Sequence, residues 1–100
     1  IPKYLCIKES FRNDMKYLNH FYMDYRTERY VGILEYVYEG ITFYFIDNQK
    51  YFFRGHVYGD FDDGERFAYF QLATLEMMER VDFIPDIIHA HDYHTAMIPF

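Results

Sequence analysis

The clearest structural signal in the chain lies in residues 62–91, which read DDGERFAYFQLATLEMMERVDFIPDIIHAH. Asp62 precedes Glu65 by three positions, which is the spacing of a capping box with an aspartate as the N-cap. At helical spacing behind this cap, one face carries Phe67, Phe70, Thr74, Met77 and Met78, and the opposite face carries Glu76, Glu79 and Arg80. The pattern predicts a helix from about Asp63 to Val81. Arg66 falls in its first turn, where the helix dipole disfavours a cation, and this position indicates a structural or charge-pairing role.

The residues after this helix predict a change of secondary structure. Pro85 ends the helical segment, and the short run of residues 86–91 is predicted to form a buried strand. Residues 92–95 then lead into another helical start. A helix that precedes a buried strand and is followed by a second helix is typical of a parallel α/β sheet.

A hairpin is predicted upstream of the helix. Residues 30–38, YVGILEYVY, and 41–46, ITFYFI, are rich in β-branched and aromatic residues. Glu39 and Gly40 separate them at two-residue hairpin spacing, and glycine supplies the positive φ that such a turn needs. We therefore expect an antiparallel pair of strands here.

The rest of the chain gives weaker signals. Residues 47–50 have the composition of a turn, and residues 54–64 hold three of the five glycines and are predicted to be a loop. Residues 4–7 fit a short strand or its end. Residues 14–25 are dense in aromatics without a clean period, and we interpret them as mixed turn and short helix.

Composition excludes several classes of protein. The 100 residues carry 10 Lys+Arg against 16 Asp+Glu, a net charge of −6, which argues against a nucleic-acid binder. With 51% hydrophobic and 23% aromatic residues, the chain is not a disordered acidic segment. The single cysteine, Cys6, forms neither an intrachain disulfide nor a thiolate metal site, and no run approaches the ~20 apolar residues of a membrane span. We expect a cytoplasmic protein without nucleic-acid or membrane partners.

The chain opens without Met and stops in an apolar run, so we interpret residues 1–100 as one partial domain of a longer protein.

Chemistry-bearing residues are densest in HAHDYH, residues 89–94. On a strand, His89 and His91 share a face, and Asp92 and His94 lie just past its carboxyl end, where open α/β sheets bind ligands. Three imidazoles and a carboxylate could ligate zinc in a metal-dependent hydrolase, but the aspartate follows the second histidine directly, unlike the H-x-H-x-D-H pattern of metallo-β-lactamases. The structural alternative packs His89 in the sheet, makes Asp92 a helix cap and leaves His94 at the surface. His91, at the exit of the strand, is the strongest functional candidate.

Two further features have both a structural and a functional interpretation. The acidic run of Asp60, Asp62, Asp63 and Glu65 lacks the ligand alternation of an EF-hand, so a helix start is favoured over a calcium site. Asp62 can still face a cleft from a loop–helix junction. We interpret the aromatic strands in 30–46 as contributing one face to the core and an amphipathic face to the outside. The alternative is that they form the sugar-stacking surface of a non-catalytic carbohydrate-binding module.

Residues 85–99, PDIIHAHDYHTAMIP, closely resemble the corresponding segment of bacterial glycogen synthases and plant starch synthases, which usually carry Trp where Tyr93 stands. Upstream, Tyr58-Gly59-Asp60 and residues 62–68, DDGERFA, resemble the family's Asp-Asn-Ala-Glu-Arg-Phe-Ala segment, and residues 45–48, FIDN, resemble a family strand. The resemblance spans about residues 30–100, with a weaker match at residues 1–4.

This resemblance implies a retaining glucosyltransferase of the GT-B type, in glycogen or starch biosynthesis. The family transfers glucose from ADP-glucose to the non-reducing 4-hydroxyl of an α-1,4-glucan. The chain would be an α/β, partial Rossmann-like domain from the middle of the N-terminal half, with an antiparallel hairpin and parallel strands flanked by helices. By position, His91 matches a family histidine that contacts the transferred glucose. Asp62 matches an aspartate at the cleft that is implicated in activity, and Tyr58 matches a tyrosine on the acceptor side.

The resemblance implies neither a metal nor a cofactor. The family takes its phosphate clamp from a Lys-Thr-Gly-Gly loop and from the C-terminal domain, and neither is in this chain. We therefore expect the isolated segment to be inactive. We also expect it to associate with itself, because cutting a sheet leaves unpaired edges and uncovered apolar faces.

Overall fold

The computed structural model describes residues 1–57 and 59–99. The chain forms two compact units, Ile1–Gly59 and Asp60–Phe100. The elements of the first unit are α1 (Glu9–Asp14), β1 (Lys16–Tyr25), β2 (Thr27–Tyr38), β3 (Ile41–Asp47) and α2 (Gln49–Phe52). Those of the second unit are α3 (Asp63–Arg80) and a short 3₁₀ helix, Tyr93–Thr95.

The sheet of the first unit is antiparallel, with the strand order β1-β2-β3. Its β2–β3 hairpin confirms the sequence prediction, since Tyr38 pairs with Ile41 across a two-residue turn. Both turn residues have positive φ, 51° at Glu39 and 78° at Gly40. This is the turn whose twist matches that of the flanking strands, which explains why the local sequence was sufficient to predict it.

The prediction for residues 14–25 was wrong, because Lys16–Tyr25 forms strand β1. Its pairing with β2 runs from Lys16 opposite Glu35 to Tyr25 opposite Thr27, with an irregularity near Tyr17. The strand has aromatic residues on both faces, so the alternation that identifies a half-buried strand does not appear. Its identity follows from pairing with β2, which the local sequence does not encode.

The first residues also differ from expectation. Pro2 forms a parallel bridge with Ile46 of β3, and the N–H of Lys3 donates to the carbonyl of Ile46 at 2.8 Å. The strand-like contact therefore precedes residues 4–7, where the chain begins to turn. A short helix, α1, then covers residues 9–14.

Both faces of the sheet bury apolar side chains. On one face the buried strand residues are Phe21, Met23, Val31, Ile33 and Ile46. On the other face Leu34 and Phe45 pack with Met15. Residues 47–50, predicted as a turn, instead end β3 at Asp47 and begin α2 at Gln49. Between the two elements, Asn48 caps α2 by accepting from the N–H of Tyr51.

In the second unit, α3 runs over Asp63–Arg80, which confirms the predicted helix to within one residue. Its buried face includes Phe67, Phe70 and Met77 as expected, and Glu76, Glu79 and Arg80 are exposed on the other side. Arg66, Tyr69 and Ala73 are also completely buried. In the described residues, no helix is long and apolar enough to cross a membrane.

Residues 86–91 do not form the predicted buried strand. In the described part of the chain they lie outside any strand, with a bend at Asp86, and Ile87 is 83% exposed. A parallel strand takes all its hydrogen bonds from neighbouring strands, so an apolar sequence alone does not make one. The following residues form one 3₁₀ turn, Tyr93–Thr95, in place of the expected α-helix start. The α/β class itself is confirmed by the antiparallel sheet and the helices.

Candidate functional site

The loop before α3 carries an acidic cluster built around a buried arginine. The Arg66 side chain is completely buried, and its Nη1 lies 2.8 Å from Oδ1 of Asp63 and 3.2 Å from Oδ2 of Asp60. The guanidinium carbon also lies 5.2 Å from the ring centre of Phe67. The charge-pairing role predicted for this arginine is confirmed by these two ion pairs.

Three carboxylates converge on this loop. One oxygen from each of Asp60, Asp62 and Asp63 lies within 4.8 Å of the other two. Arg66 already supplies a positive charge to Asp60 and Asp63. The arrangement fits the interpretation of this run as a helix start whose acidic residues favour the positive end of the dipole.

Asp62 occupies the predicted N-cap position, but the capping box does not form. The carboxylate of Asp62 makes no capping hydrogen bond to the described backbone of α3. The reason is its backbone conformation, φ −99° and ψ 20°, which is not the extended one that an N-cap side chain needs. Its main chain joins the helix, where its carbonyl accepts from the N–H of Arg66 at 2.9 Å. The half-buried carboxylate is therefore not used to cap the helix.

The histidine segment follows a different geometry from the one that a buried strand would give. The rings of His89 and His91 lie side by side, with centroids 4.2 Å apart, and both residues are exposed. This agrees with their predicted common face, but the prediction that His89 packs in a sheet is wrong. The hydroxyl of Thr95 donates to the carbonyl of His91 at 2.6 Å and fixes the backbone at that point.

His94 is half-buried, so its predicted place at the surface is wrong. Its ring packs edge-on against Phe67 of α3, with centroids 4.2 Å apart. Asp92 has φ 63°, and its carbonyl accepts from the N–H of Thr95 at 3.2 Å in the 3₁₀ turn. Among the described residues, the groups able to hold a metal do not include a set of three from this histidine segment. The zinc interpretation gains no support from the geometry.

Helix α3 thus brings together the two segments that the sequence singled out. Its first turn binds the acidic loop through Arg66, and the next residue, Phe67, holds His94. One turn further, the buried Oε1 of Gln71 accepts from the N–H of Met97 at 2.6 Å. Sequence reasoning missed Gln71, although its position four residues after Phe67 places it on the same helical face. Tyr58, the third predicted site residue, lies outside the described residues.

A separate feature of the first unit is an exposed aromatic cluster on β1 and β2. The rings of His20 and Tyr30 stack with centroids 5.6 Å apart, and Tyr22 packs edge-on against both rings. The Tyr17 hydroxyl and Nδ1 of His20 share a hydrogen bond. Gly32 makes room for this arrangement, because a Cβ there would lie 2.9 Å from the Tyr30 hydroxyl. Burial raises the pKa of Tyr30, and the nearby Asp47 carboxylate acts in the same direction. The sugar-stacking surface predicted for the aromatic strands in 30–46 stays a prediction.

Comparison with known proteins assigns the chain to a family. The family profile of the starch synthase catalytic domain matches residues 1–100. Glycogen synthases of Streptococcus uberis and Streptococcus pneumoniae are 60% and 61% identical over 101 aligned residues, which cover all of this chain and 21% of each relative. The chain therefore spans about one fifth of the length of these curated relatives.

A solved structure shows the same fold. The catalytic domain of starch synthase IV from Arabidopsis thaliana, bound to ADP and acarbose, superposes with a TM-score of 0.82 at 33% identity, covering 97% of this chain and 21% of that one. These likenesses support neither a metal-dependent hydrolase nor a non-catalytic carbohydrate-binding module. They confirm the predicted resemblance and the predicted fold class. The chain belongs to the starch synthase catalytic domain family.

Proposed function

We propose that the protein containing this chain is a retaining glucosyltransferase that elongates an α-1,4-glucan with glucose from ADP-glucose. The observation that carries the proposal is the match of the whole chain to the starch synthase catalytic domain, at about 60% identity to glycogen synthases. The related starch synthase IV was bound to ADP, which is the leaving group of such a donor, and to the oligosaccharide acarbose. Within that enzyme we assign residues 1–100 to the middle of the N-terminal, acceptor-side domain.

The reaction exchanges one bond at the anomeric carbon of the donor for another. The bond from C1 to the phosphate oxygen breaks and ADP leaves with its electron pair. The acceptor's 4-hydroxyl oxygen forms a bond to C1, and its proton passes to the departing phosphate oxygen. Positive charge develops on the sugar ring in the transition state. Nearby carboxylate and carbonyl oxygens, fixed before the reaction begins, stabilise that charge.

We propose that the side chain of His91 makes a hydrogen bond to the transferred glucose. Its side chain is exposed and its carbonyl is held by the Thr95 hydroxyl, so the ring projects from a fixed backbone. A fixed donor or acceptor orients the sugar for attack.

Asp62 is assigned an electrostatic role at the cleft. Its carboxylate is half-buried and is not used as a helix cap, and its neighbours in sequence are anchored by Arg66. Tyr58 is assigned to the acceptor side by the family match alone. We place the enzyme in the cytoplasm, which agrees with an exposed, unpaired Cys6.

The test is a transfer assay on the full-length protein with radiolabelled ADP-glucose and a short α-1,4-glucan. We expect the acceptor to lengthen by single glucose units and ADP to be released in equal amount. UDP-glucose and a reaction without acceptor serve as controls. Release of free glucose without chain extension, together with stoichiometric bound zinc, would instead favour a metal-dependent hydrolase.

A further inference from the structure

We infer that Arg66 is a positioning residue for Asp62: its buried guanidinium fixes the acidic loop on which that carboxylate is presented. This inference rests on the proposed function, because it assumes that Asp62 acts at the cleft. It adds a residue to which neither the family match nor the sequence pattern gave a part in the reaction.

The contacts hold the loop on both sides of Asp62. One nitrogen of Arg66, Nη1, contacts Asp60 at 3.2 Å and Asp63 at 2.8 Å. The two aspartates also hold each other, since the N–H of Asp60 donates to Oδ1 of Asp63 at 3.2 Å and the N–H of Asp63 donates to the carbonyl of Asp60 at 3.1 Å. Asp62 lies between these anchors, so its backbone has little freedom to move while Arg66 is in place.

The charges explain why such an anchor is needed. Carboxylate oxygens of Asp60, Asp62 and Asp63 lie within 4.8 Å of one another, and like charges at this distance repel. The guanidinium, which contacts Asp60 and Asp63, offsets this repulsion and so allows the three carboxylates to stay close together. Without it, the loop would relieve the repulsion by spreading, and Asp62 would leave its position.

Stability alone is a poor explanation for this arginine. It is a completely buried cation in the first turn of α3, where the helix dipole disfavours positive charge. Buried ion pairs recover their desolvation penalty only with good geometry and often contribute little to net stability. The ion pairs of Arg66 instead hold the loop in one defined conformation. In a transferase, that conformation determines where the Asp62 carboxylate lies relative to the reacting carbon.

Arg66→Lys in the full-length enzyme tests the inference. Lysine keeps the charge but ends one bond short of the guanidinium nitrogen, so it does not reach both carboxylates in the same geometry. Because a displacement of about 1 Å near the chemistry costs up to ~10²-fold, we expect kcat to fall about ten- to a hundredfold, with a smaller change in KM. Arg80→Lys is the matched control, since Arg80 lies on the same helix in an exposed pair with Glu76 at 3.8 Å. We expect the control to keep kcat within about twofold of wild type.

A double-mutant cycle with Asp62→Asn separates positioning from a general structural role. If Arg66 acts through Asp62, adding Arg66→Lys to the Asp62→Asn variant should lower kcat by less than about threefold further. The reason is that the carboxylate which Arg66 positions is already absent from that variant. If the fall in kcat of the double variant equals the product of the falls in the two single variants, Arg66 acts independently of Asp62. The inference is then overturned while the proposed function stands. Wild-type kcat in Arg66→Lys overturns the inference in the same way.

Two outcomes concern the premises. If Asp62→Asn alone keeps wild-type kcat, the role assigned to Asp62 fails, and the inference fails with it. If Arg66→Lys does not fold, as judged from its melting curve, Asp60→Asn takes its place because it removes one anchor and leaves Arg66 paired with Asp63. The same lack of additivity with Asp62→Asn is then expected, and full multiplication of the two losses overturns the inference.

Discussion

The amide of Asn48 joins three elements of the first unit, and replacing it should loosen them locally. Asn48 is buried, its Oδ1 accepts from the N–H of Tyr51 at 3.2 Å, and its Nδ2 donates to the carbonyl of Tyr30 at 2.8 Å. The first bond caps α2, which has only four residues, and the second ties the end of β3 to β2. In Asn48→Ala both bonds are lost at once.

The size of the effect follows from these two bonds. Losing an N-cap to alanine costs about 1 kcal/mol, and losing a further buried hydrogen bond costs about 1 kcal/mol. We therefore expect local opening to become easier by about 2 kcal/mol, which is roughly a thirtyfold change in an equilibrium constant.

Amide hydrogen exchange on the full-length protein, read by mass spectrometry, measures this directly. Peptides that cover residues 41–53 should exchange roughly thirtyfold faster in Asn48→Ala, since exchange reports the local opening equilibrium. Asn13→Ala is the control, because Asn13 is exposed in α1 and alanine favours a helix. Unchanged exchange in Asn48→Ala, or an equal acceleration in the control, would refute the reasoning.

Two predictions concern residues 1–100 prepared in isolation. The segment should self-associate, because its exposed apolar side chains include Phe61, Ile84 and Ile87; light scattering at high micromolar concentration should give a mass above the monomer, and a clean monomer would argue against it. Its affinity for ADP-glucose should be millimolar or weaker, because the chain has a net charge of −6 and residues 1–100 do not contain the Lys-Thr-Gly-Gly sequence that the resemblance implies for phosphate binding. A micromolar Kd by calorimetric titration would mean that a phosphate site lies within these residues.

The parts of the fold that the sequence predicted are those set by local rules. The β2–β3 hairpin depends on two turn residues with positive φ, Glu39 and Gly40. Helix α3 depends on its helical apolar period, and its bounds were predicted to within one residue even though the predicted capping box does not form. The place of Arg66 in the first turn was enough to indicate a charge partner, because the dipole argument involves only the helix itself.

The parts that were missed depend on partners distant in sequence. Strand β1 carries aromatic residues on both faces, so its strand character appears only in its pairing with β2. Residues 86–91 have the composition of a buried strand, but composition does not supply the neighbouring strands. At the site, the contacts of His94 with Phe67 and of Gln71 with Met97 join segments more than 25 residues apart, and no local pattern encodes them.

The kinetics of His91→Ala in the full-length protein test the central claim most directly, namely that this segment contributes a sugar-binding histidine to a glucosyltransferase. Removing a hydrogen bond that stabilises the transition state costs ~10²–10³ in rate, so we expect kcat for transfer from ADP-glucose to fall by that factor while the melting temperature stays near wild type. His56→Ala, an exposed loop histidine, should keep wild-type activity. Wild-type kinetics in His91→Ala would contradict the account.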